Sequence, residues 1–463
     1  MNARASRLVS APPRVTPAGL GAGRPSTQHR SGKGWPQPSA GASLPRVSLH
    51  LPLQDGAATV ACATLDSLAA LDYPALDVLV VDTSVSPAAW EPVAEHCARL
   101  GPRFRFFHLG PRMGQRAAAL NFALQETSPA VEVIGTLEAG CAVHTAWLRR
   151  TAPLMVRPGL GFVQGAWMRP APEAPVIQHL AAASRPEALP APAVRLCPSL
   201  GLIRAEALRL AGGWVEDAPD HHAELGLRLQ RQGWEAVQMI EPLGRSPLPP
   251  DAPAWRAAQA GAARGALDLL WRHGDVLLNP FHRSLSAAQR RHLLRDMLPG
   301  VVDLSWLLAS GLTLVASLLL LPVRDAAILP AIPALLLALA LVGSRGAASL
   351  ATARPGTRHL ALLAGLAAMP VRGVTLARGL LGRPSLSAGH LARLPLPLMQ
   401  AGAIALSLAL CGAAALPWAL TLGILALPSF ASLLLEWLPQ GTTPASSDRR
   451  GNMPLHLFSR SLP

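Results

Sequence analysis

The sequence predicts an α/β domain built on a parallel sheet, followed by a helical region that spans a membrane. Between residues 46 and 137, short apolar runs alternate with segments that have helical periodicity. Strands and helices that alternate at this spacing form parallel sheets. Beyond residue 300 long apolar runs follow, and only 15% of the 463 residues are charged. This balance is typical of a folded domain joined to membrane spans.

The first 45 residues predict a disordered basic tail. They are rich in Pro, Ser, Gly and Arg, and no acidic residue precedes Asp55. Such a segment buries too little apolar surface to fold. It has no apolar core of the kind that a secretory signal needs, and its acid-poor, arginine-rich composition also resembles an organelle transit peptide. A tail that rests on anionic lipid is the other interpretation.

The net charge of +14 comes almost entirely from arginine, since Lys33 is the only lysine. A basic protein can bind nucleic acid through phosphate contacts. Here a basic tail and arginine-rich loops beside the apolar runs account for the charge, and no platform of interleaved aromatic and basic residues is visible. We therefore expect no nucleic-acid partner.

Four predicted strands end in polar or glycine-containing segments. The strands cover residues 47–51, 77–81, 104–109 and 131–137, with helices at 57–71, 90–100 and 116–125 between them. Ligands of parallel α/β sheets bind beyond the carboxyl ends of the strands. The segments to search are therefore 52–56, 82–84, 110–114 and 138–140.

The C-terminal half predicts one interfacial helix and four membrane spans. Residues 284–297 place basic side chains on one face and leucines on the other, which suits a helix at a membrane surface. Runs long enough to approach the roughly 20 residues that a span needs follow at 301–323, 326–342, 396–416 and 418–435. Residues 360–371 are shorter and flanked by arginines, so we interpret them as interfacial.

Arginines predict the orientation. The connection between the second and third spans is rich in arginine, whereas the turns on the other side carry only Arg324. By the positive-inside rule, the sheet domain and the C-terminal tail are cytoplasmic. The predicted organisation is a tail (1–45), a sheet domain (46–280), an interfacial helix (281–300), a membrane region (301–437) and a disordered tail (438–463). The arginine- and alanine-rich usage suggests a bacterium, and so the inner (plasma) membrane.

One stretch carries a family resemblance. Gly212-Gly213-Trp214 is followed by Asp220-His221-His222 and then by Ala-Glu-Leu-Gly-Leu-Arg-Leu. This pattern resembles the family 2 glycosyltransferases, in their membrane-bound cellulose synthase-like branch, over about residues 47–435. The resemblance implies a Rossmann-like nucleotide-sugar domain of the A type. The segment from 223 to 229 matches the family, whereas the family's Thr-Glu-Asp triplet reads Asp-His-His, so that its base aspartate falls on His222.

The resemblance also implies a donor site. Asp82 fits the strand-end aspartate that holds the uracil or ribose, and Arg116 fits the lysine of the family's Gly-x-Lys-Ala-Gly-Ala-Leu-Asn segment. The family's metal motif, Asp-Ala-Asp, reads Glu138-Ala139-Gly140, which leaves Glu138 to hold Mg²⁺ or Mn²⁺. The alternatives are that Asp82 caps a helix, that Arg116 lies on the surface and that Glu138 is merely solvated.

The predicted catalytic pair is His222 with Asp220. Histidine titrates near neutrality and can serve as a general base, and an aspartate two residues away could tune it. The alternative is a helix N-terminus that Asp220 caps. The family's acceptor motif, Gln-x-x-Arg-Trp, aligns with Ala-Gln-Ala-Gly-Ala at 258–262, so its arginine and tryptophan are missing.

Two functions follow. The first is an enzyme by descent that transfers a sugar from a UDP-sugar to a glycan or lipid acceptor, with activity weak or lost. The second is a non-catalytic pseudo-glycosyltransferase that binds and regulates an active membrane glycosyltransferase, such as a paralogue. In both cases the lipid bilayer is a partner.

Overall fold

The structure, a computed structural model, describes residues 44–111, 115–185, 192–320, 328–353, 356–382, 398–399, 401–405 and 416–437. Both predicted tails fall almost wholly outside these residues, as does most of the predicted span at 396–416.

The sheet domain contains one eight-stranded sheet, in the spatial order β3-β2-β1-β4-β7-β6-β8-β5. Its strands are β1 (Val47–Leu53), β2 (Leu76–Asp82), β3 (Phe104–His108), β4 (Val133–Thr136), β5 (Ala142–Val143), β6 (Leu160–Trp167), β7 (Gly201–Arg204) and β8 (Glu235–Arg245). The first four strands are parallel, as predicted. β7 runs antiparallel to both β4 and β6, so the complete sheet is mixed.

The sheet domain contains the helices α1 (Ala58–Ala69), α2 (Pro87–Leu100), α3 (Gln115–Glu126), α4 (Trp147–Thr151), α5 (Val176–Ala183), α6 (Ala205–Leu210), α7 (His221–Arg231) and α8 (Ala252–Leu277). α1, α2 and α4 pack on one face of the sheet and α3, α6 and α7 on the other, whereas α5 and α8 pack with the C-terminal helices. Alternate residues of β1 serve different faces, as the period of a strand requires. Leu49 and Leu51 pack with Leu65 and Leu68 of α1 in one core, while His50 faces α3. The second core, on the other face, contains Phe162 and residues of α3 and α7.

His50 is a fully buried histidine with an ordered partner. Its Nε2 lies 2.8 Å from Oγ1 of Thr127, and that hydroxyl donates to the Ala123 carbonyl oxygen, so His50 Nε2 carries the hydrogen. Burial and, secondarily, the charge of Arg105 lower the pKa of His50 to about 3. The imidazole is therefore neutral in the folded protein.

This histidine predicts acid sensitivity. The unfolded chain takes up a proton at His50 near its ordinary pKa of 6.5, whereas the folded chain does so only near 3. The free energy of unfolding should therefore fall as pH drops from 6.5 toward 3, by up to about 1.4 kcal/mol per pH unit from this one group. Melting temperatures of the detergent-solubilised chain across this range should show a shallower slope for His50→Gln. The exposed His359→Gln is the control, and an equal slope in the two variants would contradict the prediction.

Among the residues that the structure describes, four helices of the C-terminal region are long and apolar enough to cross a membrane. They are α9 (Ala287–Leu320), α10 (Ile328–Thr352), α11 (Arg358–Leu380) and α12 (Leu416–Trp437). The structure therefore confirms a C-terminal region of helices that could span a membrane. The predicted span at 418–435 lies within α12.

The segments predicted as the interfacial helix and the first span lie in one helix, α9, which has Pro299 inside it. Ser286 and Gln289 form a capping box at its start, since each accepts the backbone N–H of the other. Arg290 does not face lipid. It is buried, and its guanidinium donates to the carbonyl oxygens of Val276, Pro280 and His282.

The segment 360–371 was too short to cross by its sequence pattern, and the structure corrects its length. It lies inside the 23-residue helix α11, which packs between α9, α10 and α12. Arg372 interrupts the apolar run in the sequence, but its Nη1 lies 3.9 Å from Oδ2 of Asp303 on α9. Likewise α10 extends past residue 342, because Arg345 donates from Nε to Asp303 at 3.0 Å. The buried aspartate compensates both arginines.

Candidate functional site

A cavity of about 390 Å³ opens at the carboxyl edge of the parallel strands. Its walls come from the ends of β1 and β4, from residues 195–198, from the start of α7 and from the middle of α8. The lining includes Arg116, Glu138, Asp220 and His222, so the fold brings together four of the five predicted site residues. The fifth, Asp82, is not part of this lining.

Glu138 lies at the end of β4 and forms an ion pair across the cavity. Its Oε1 accepts from Nη1 of Arg116 at 3.0 Å, and its backbone N–H donates to Oγ of Ser199. Burial raises the pKa of Glu138, the arginines at 116 and 185 oppose this shift, and the charge of Asp220 adds to it. Glu138 is therefore one half of an ion pair in the cavity wall, and its side chain is 29% exposed.

Asp220 is the N-cap of α7, as its alternative interpretation predicts. Its Oδ1 accepts the backbone N–H of Ala223 at 3.0 Å, and its Oδ2 accepts from Nη2 of Arg195. The sequence analysis missed Arg195, which also lines the cavity. The available signal was its position at the start of a segment that resembles the family's Cys-Gly-Thr-Asn strand but reads Cys197-Pro198-Ser199-Leu200.

His222 is 3% exposed and packs beside two rings, with centroid distances of 4.5 Å to His221 and 6.3 Å to Trp214. Its Nε2 is buried and has no hydrogen-bond partner in the described part of the chain. Burial, followed by the charges of His221 and Arg116, holds the pKa of His222 well below its usual range. His222 is thus a neutral imidazole, and the hydrogen bonds of Asp220 go to Ala223 and Arg195 instead.

Asp82, at the end of β2, forms hydrogen bonds with the turn that follows it and with the end of β3. It is 1% exposed, and it accepts the backbone N–H of Ser84 at 2.9 Å and the Ser84 hydroxyl at 2.8 Å. Nδ1 of His108, at the end of β3, lies 3.0 Å from the same carboxylate. These contacts hold the turn after β2. The next helix begins at Pro87 with Ser86 as its N-cap residue, so Asp82 does not cap that helix as the alternative interpretation expected, and it is not part of the cavity lining.

The donor set does not fit a divalent cation. Glu138 and Asp220 are the carboxylates that line the cavity, and each already pairs with a guanidinium. Within the described ranges, no group of three or more His, Cys, Asp and Glu side chains could hold a metal ion. Gly140 replaces the second aspartate of the family's motif and has a φ of +88°.

We expect that an aspartate at position 140 would not restore metal binding. A Cβ at Gly140 would lie 3.1 Å from Cβ of Pro247 and 3.4 Å from Cγ1 of Val60, in a left-handed conformation. Gly140→Asp should therefore lower the melting temperature, by the equivalent of about 1–2 kcal/mol, and leave Mn²⁺ binding unchanged. Gly56→Asp, at the same edge but without a left-handed φ or a close contact, is the control. Tighter Mn²⁺ binding by Gly140→Asp alone, measured by calorimetry, would refute this expectation.

The residues that match the family best hold the turn before α7. Glu224 accepts from Nη2 of Arg228 at 2.8 Å, and the same nitrogen donates to the Gly213 carbonyl oxygen at 2.8 Å. Asn121 of α3 accepts the Trp214 backbone N–H at 2.9 Å and donates to the Trp214 carbonyl oxygen. These side chains fix the wall that carries Asp220 and His222 and do not line the cavity.

Comparison with known proteins finds similarity to glycosyltransferases. Residues 57–192 match the model of glycosyl transferase family 2. Glucomannan 4-beta-mannosyltransferase 7 of Arabidopsis thaliana is 23% identical over 260 residues, which are 53% of this chain and 47% of the relative. The matched part thus spans about half of that relative's length.

Among solved structures, the chain resembles the mannosyltransferase PcManGT from Pyrobaculum calidifontis in complex with GDP-Man and Mn²⁺. The TM-score is 0.44 at 17% identity, over 84% of this chain and 88% of that one. It also resembles residues 1–349 of S. aureus TarS in complex with UDP-GlcNAc, with a TM-score of 0.37 at 12% identity, over 73% and 92% of the two chains.

Proposed function

We propose that this chain, which carries a family 2 glycosyltransferase domain joined to a helical region able to span a membrane, binds a nucleotide sugar and transfers the sugar weakly or not at all. The observation that carries the proposal is the state of the cavity. It keeps its place at the strand ends and its arginines, while both of its carboxylates are engaged in ion pairs.

Binding is supported by shape and charge. A volume of about 390 Å³ lies within the usual range of small-molecule sites, about 300–1,000 Å³. Arg116 and Arg195 present guanidinium groups, which are well suited to phosphate. We propose a UDP-sugar as the ligand, on the family resemblance, and a GDP-sugar is the alternative that the test includes.

Loss of transfer is supported by the absence of a suitable base from the cavity walls that the structure describes. Attack by an acceptor hydroxyl requires a group that takes its proton, and such a group works best with a pKa near the working pH. His222 has a pKa well below that range and a buried ring. Residual transfer would rest on His222 as the proton acceptor, with Asp220 holding the first turn of α7 in place.

The acceptor side points the same way. Where the family places a glutamine, an arginine and a tryptophan, α8 lines the cavity with Ala258, Gly261 and Ala262. These residues offer no side-chain hydrogen bond to a sugar chain. We propose a glycan or lipid acceptor only for residual activity, with the sheet domain on the cytoplasmic side of the inner membrane.

A second function, regulation of an active membrane glycosyltransferase, is favoured by one contrast. The Glu224–Arg228 pair that holds the turn before α7 is intact and largely buried, whereas the groups that transfer would need are engaged elsewhere or missing. A chain that must fold but need not catalyse has this pattern.

The test uses the purified full chain in detergent. Calorimetric titration with UDP-glucose, UDP-N-acetylglucosamine and GDP-mannose should show binding of at least one, while release of the free nucleoside diphosphate stays close to the rate without protein. His222→Ala should remove any residual release, and His359→Ala, at an exposed position, should not. Rapid release that His222→Ala leaves unchanged would contradict the assignment of His222. Absence of binding at millimolar concentrations would remove the nucleotide-sugar function and leave the regulatory one.

A further inference from the structure

We propose that the cavity binds the diphosphate of a nucleotide without a divalent cation, with Arg116 and Arg195 supplying the positive charge that a metal ion would otherwise provide. This inference rests on the proposed function, because it states how the same cavity holds its ligand. It is carried by the arrangement of charged side chains on the cavity walls.

The first step concerns the carboxylates. A metal ion would need Glu138 and Asp220, and both are occupied: Glu138 by Nη1 of Arg116 at 3.0 Å, and Asp220 by the guanidinium of Arg195. Binding the ion would require both pairs to separate and would leave two guanidinium groups beside it. Like charges at such a distance oppose binding. Gly140 adds no oxygen ligand, and a side chain there would meet Pro247.

The second step concerns the arginines. A guanidinium has five N–H donors, and each arginine donates to its carboxylate through a single nitrogen. The side chains of Arg116 and Arg195 are 57% and 43% exposed, so their remaining donors can reach a ligand. Guanidinium groups bind phosphate oxygens in pairs of parallel hydrogen bonds. Two of them, from different walls of one cavity, suit the two phosphates of a nucleoside diphosphate.

The third step concerns net charge. Arg185 is a further guanidinium beside Glu138 and acts electrostatically on it. Its own donors go to Ser246 and to the Pro247 carbonyl oxygen, so it adds positive charge without entering either pair. Within the cavity lining two arginines face two carboxylates, and Arg185, which lies outside the lining, adds a third positive charge. The excess positive charge favours an anion in this cavity.

The test is calorimetric titration of the full chain in detergent with UDP and, separately, with GDP, once in EDTA and once in Mn²⁺. We expect at least one nucleotide to bind with the same affinity in both buffers. Arg116→Gln and Arg195→Gln should each weaken binding by about tenfold to a hundredfold, the range of a charged hydrogen bond. Arg149→Gln is the matched control, because Arg149 pairs with Asp72 on the surface.

Glu138→Gln separates the two kinds of site by the sign of its effect. The substitution keeps the shape of the side chain and removes its charge. If arginines bind the diphosphate, it frees Arg116 and removes a repelling carboxylate, so that affinity stays equal or rises in both buffers. If Glu138 is a metal ligand, affinity falls in Mn²⁺.

The outcomes are distinct. Binding that needs Mn²⁺ and is lost in Glu138→Gln would overturn the inference while the proposed function stands. Binding in EDTA that neither arginine variant weakens would overturn it as well. No binding of UDP or GDP in either buffer would remove the nucleotide site itself, and the inference with it.

Discussion

Replacing Asp303 with asparagine is expected to destabilise the helical region by about 3–5 kcal/mol. Asp303 is 0% exposed on α9, and its carboxylate lies 3.0 Å from Nε of Arg345 on α10 and 3.9 Å from Nη1 of Arg372 on α11. Removing the one negative charge leaves two guanidinium groups without compensation among packed helices. An unpaired buried charge costs far more than a well-packed apolar side chain in its place.

The measurement is thermal unfolding of the solubilised chain, followed by size-exclusion chromatography after heating. Glu91→Gln, which removes an exposed acidic charge, should leave the melting temperature unchanged. The double variant Asp303→Asn with Arg345→Met should recover part of the loss, because the arginine that is closest to Asp303 has gone. If Asp303→Asn has the same melting temperature as Glu91→Gln, the stability of these helices does not depend on the ion pairs.

Gly226→Ala is expected to destabilise the sheet domain by about 1–3 kcal/mol, the cost of overpacking a filled interior. A Cβ on Gly226, inside α7, would lie 2.8 Å from Cβ of Leu196 and 3.1 Å from its backbone nitrogen. Neither atom is the end of a flexible side chain, so α7 and the irregular segment that carries Leu196 must move apart. Leu196 and Cys197 line the cavity, and we therefore expect nucleotide affinity to fall together with stability.

Gly261→Ala is the matched control for this substitution. Gly261 also lies inside a helix, α8, but a Cβ there would meet nothing within 4 Å. Alanine should stabilise the helix by about 0.5–1 kcal/mol, since it loses less backbone entropy than glycine on folding. Urea unfolding, monitored by tryptophan fluorescence, would show opposite signs for the two variants. Two shifts of the same sign would contradict the packing argument.

Local pattern was enough to predict the first half of the sheet. The apolar run at 47–51 corresponds to β1, which extends to Leu53, and the run at 77–81 corresponds to β2. The spacing of apolar residues differs between buried strands and helices, so the type of each element can be predicted from the sequence. The antiparallel entry of β7 could not be predicted in this way, because it depends on the path of the connecting segments.

The membrane region shows what pattern leaves out. Arg345 and Arg372 each ended an apolar run on paper, and both lie inside helices because Asp303, on another helix, compensates them. The partner of a charge on a distant helix is not visible in a local window. The same reason explains the donor site: Asp82 was assigned to a ligand, and its oxygens are taken by Ser84 and His108.

The site residues were predicted as a group better than one by one. Glu138 was expected at the carboxyl edge of the sheet and Asp220 beside the predicted base His222, and the fold brings both to one cavity. Their partners, Arg116 and Arg195, come from other parts of the chain, so the ion pairs could be found only in three dimensions. The capping role of Asp220 was foreseeable, because an aspartate before a helical segment is a common N-cap.

α9 begins well before its apolar run, and this first part separates the sheet domain from the apolar run. A helix rises 1.5 Å per residue, so the residues from 287 to 300, ahead of the apolar run, extend about 20 Å. Arg290, near the start of α9, donates to the Val276 carbonyl oxygen at the end of α8. Residues 258–262 of α8 contribute to one wall of the cavity. If the apolar run that follows crosses a bilayer, this part of α9 sets the height of the cavity above the membrane surface. Lengthening it by whole turns would raise that height in steps while preserving the facing of the domain.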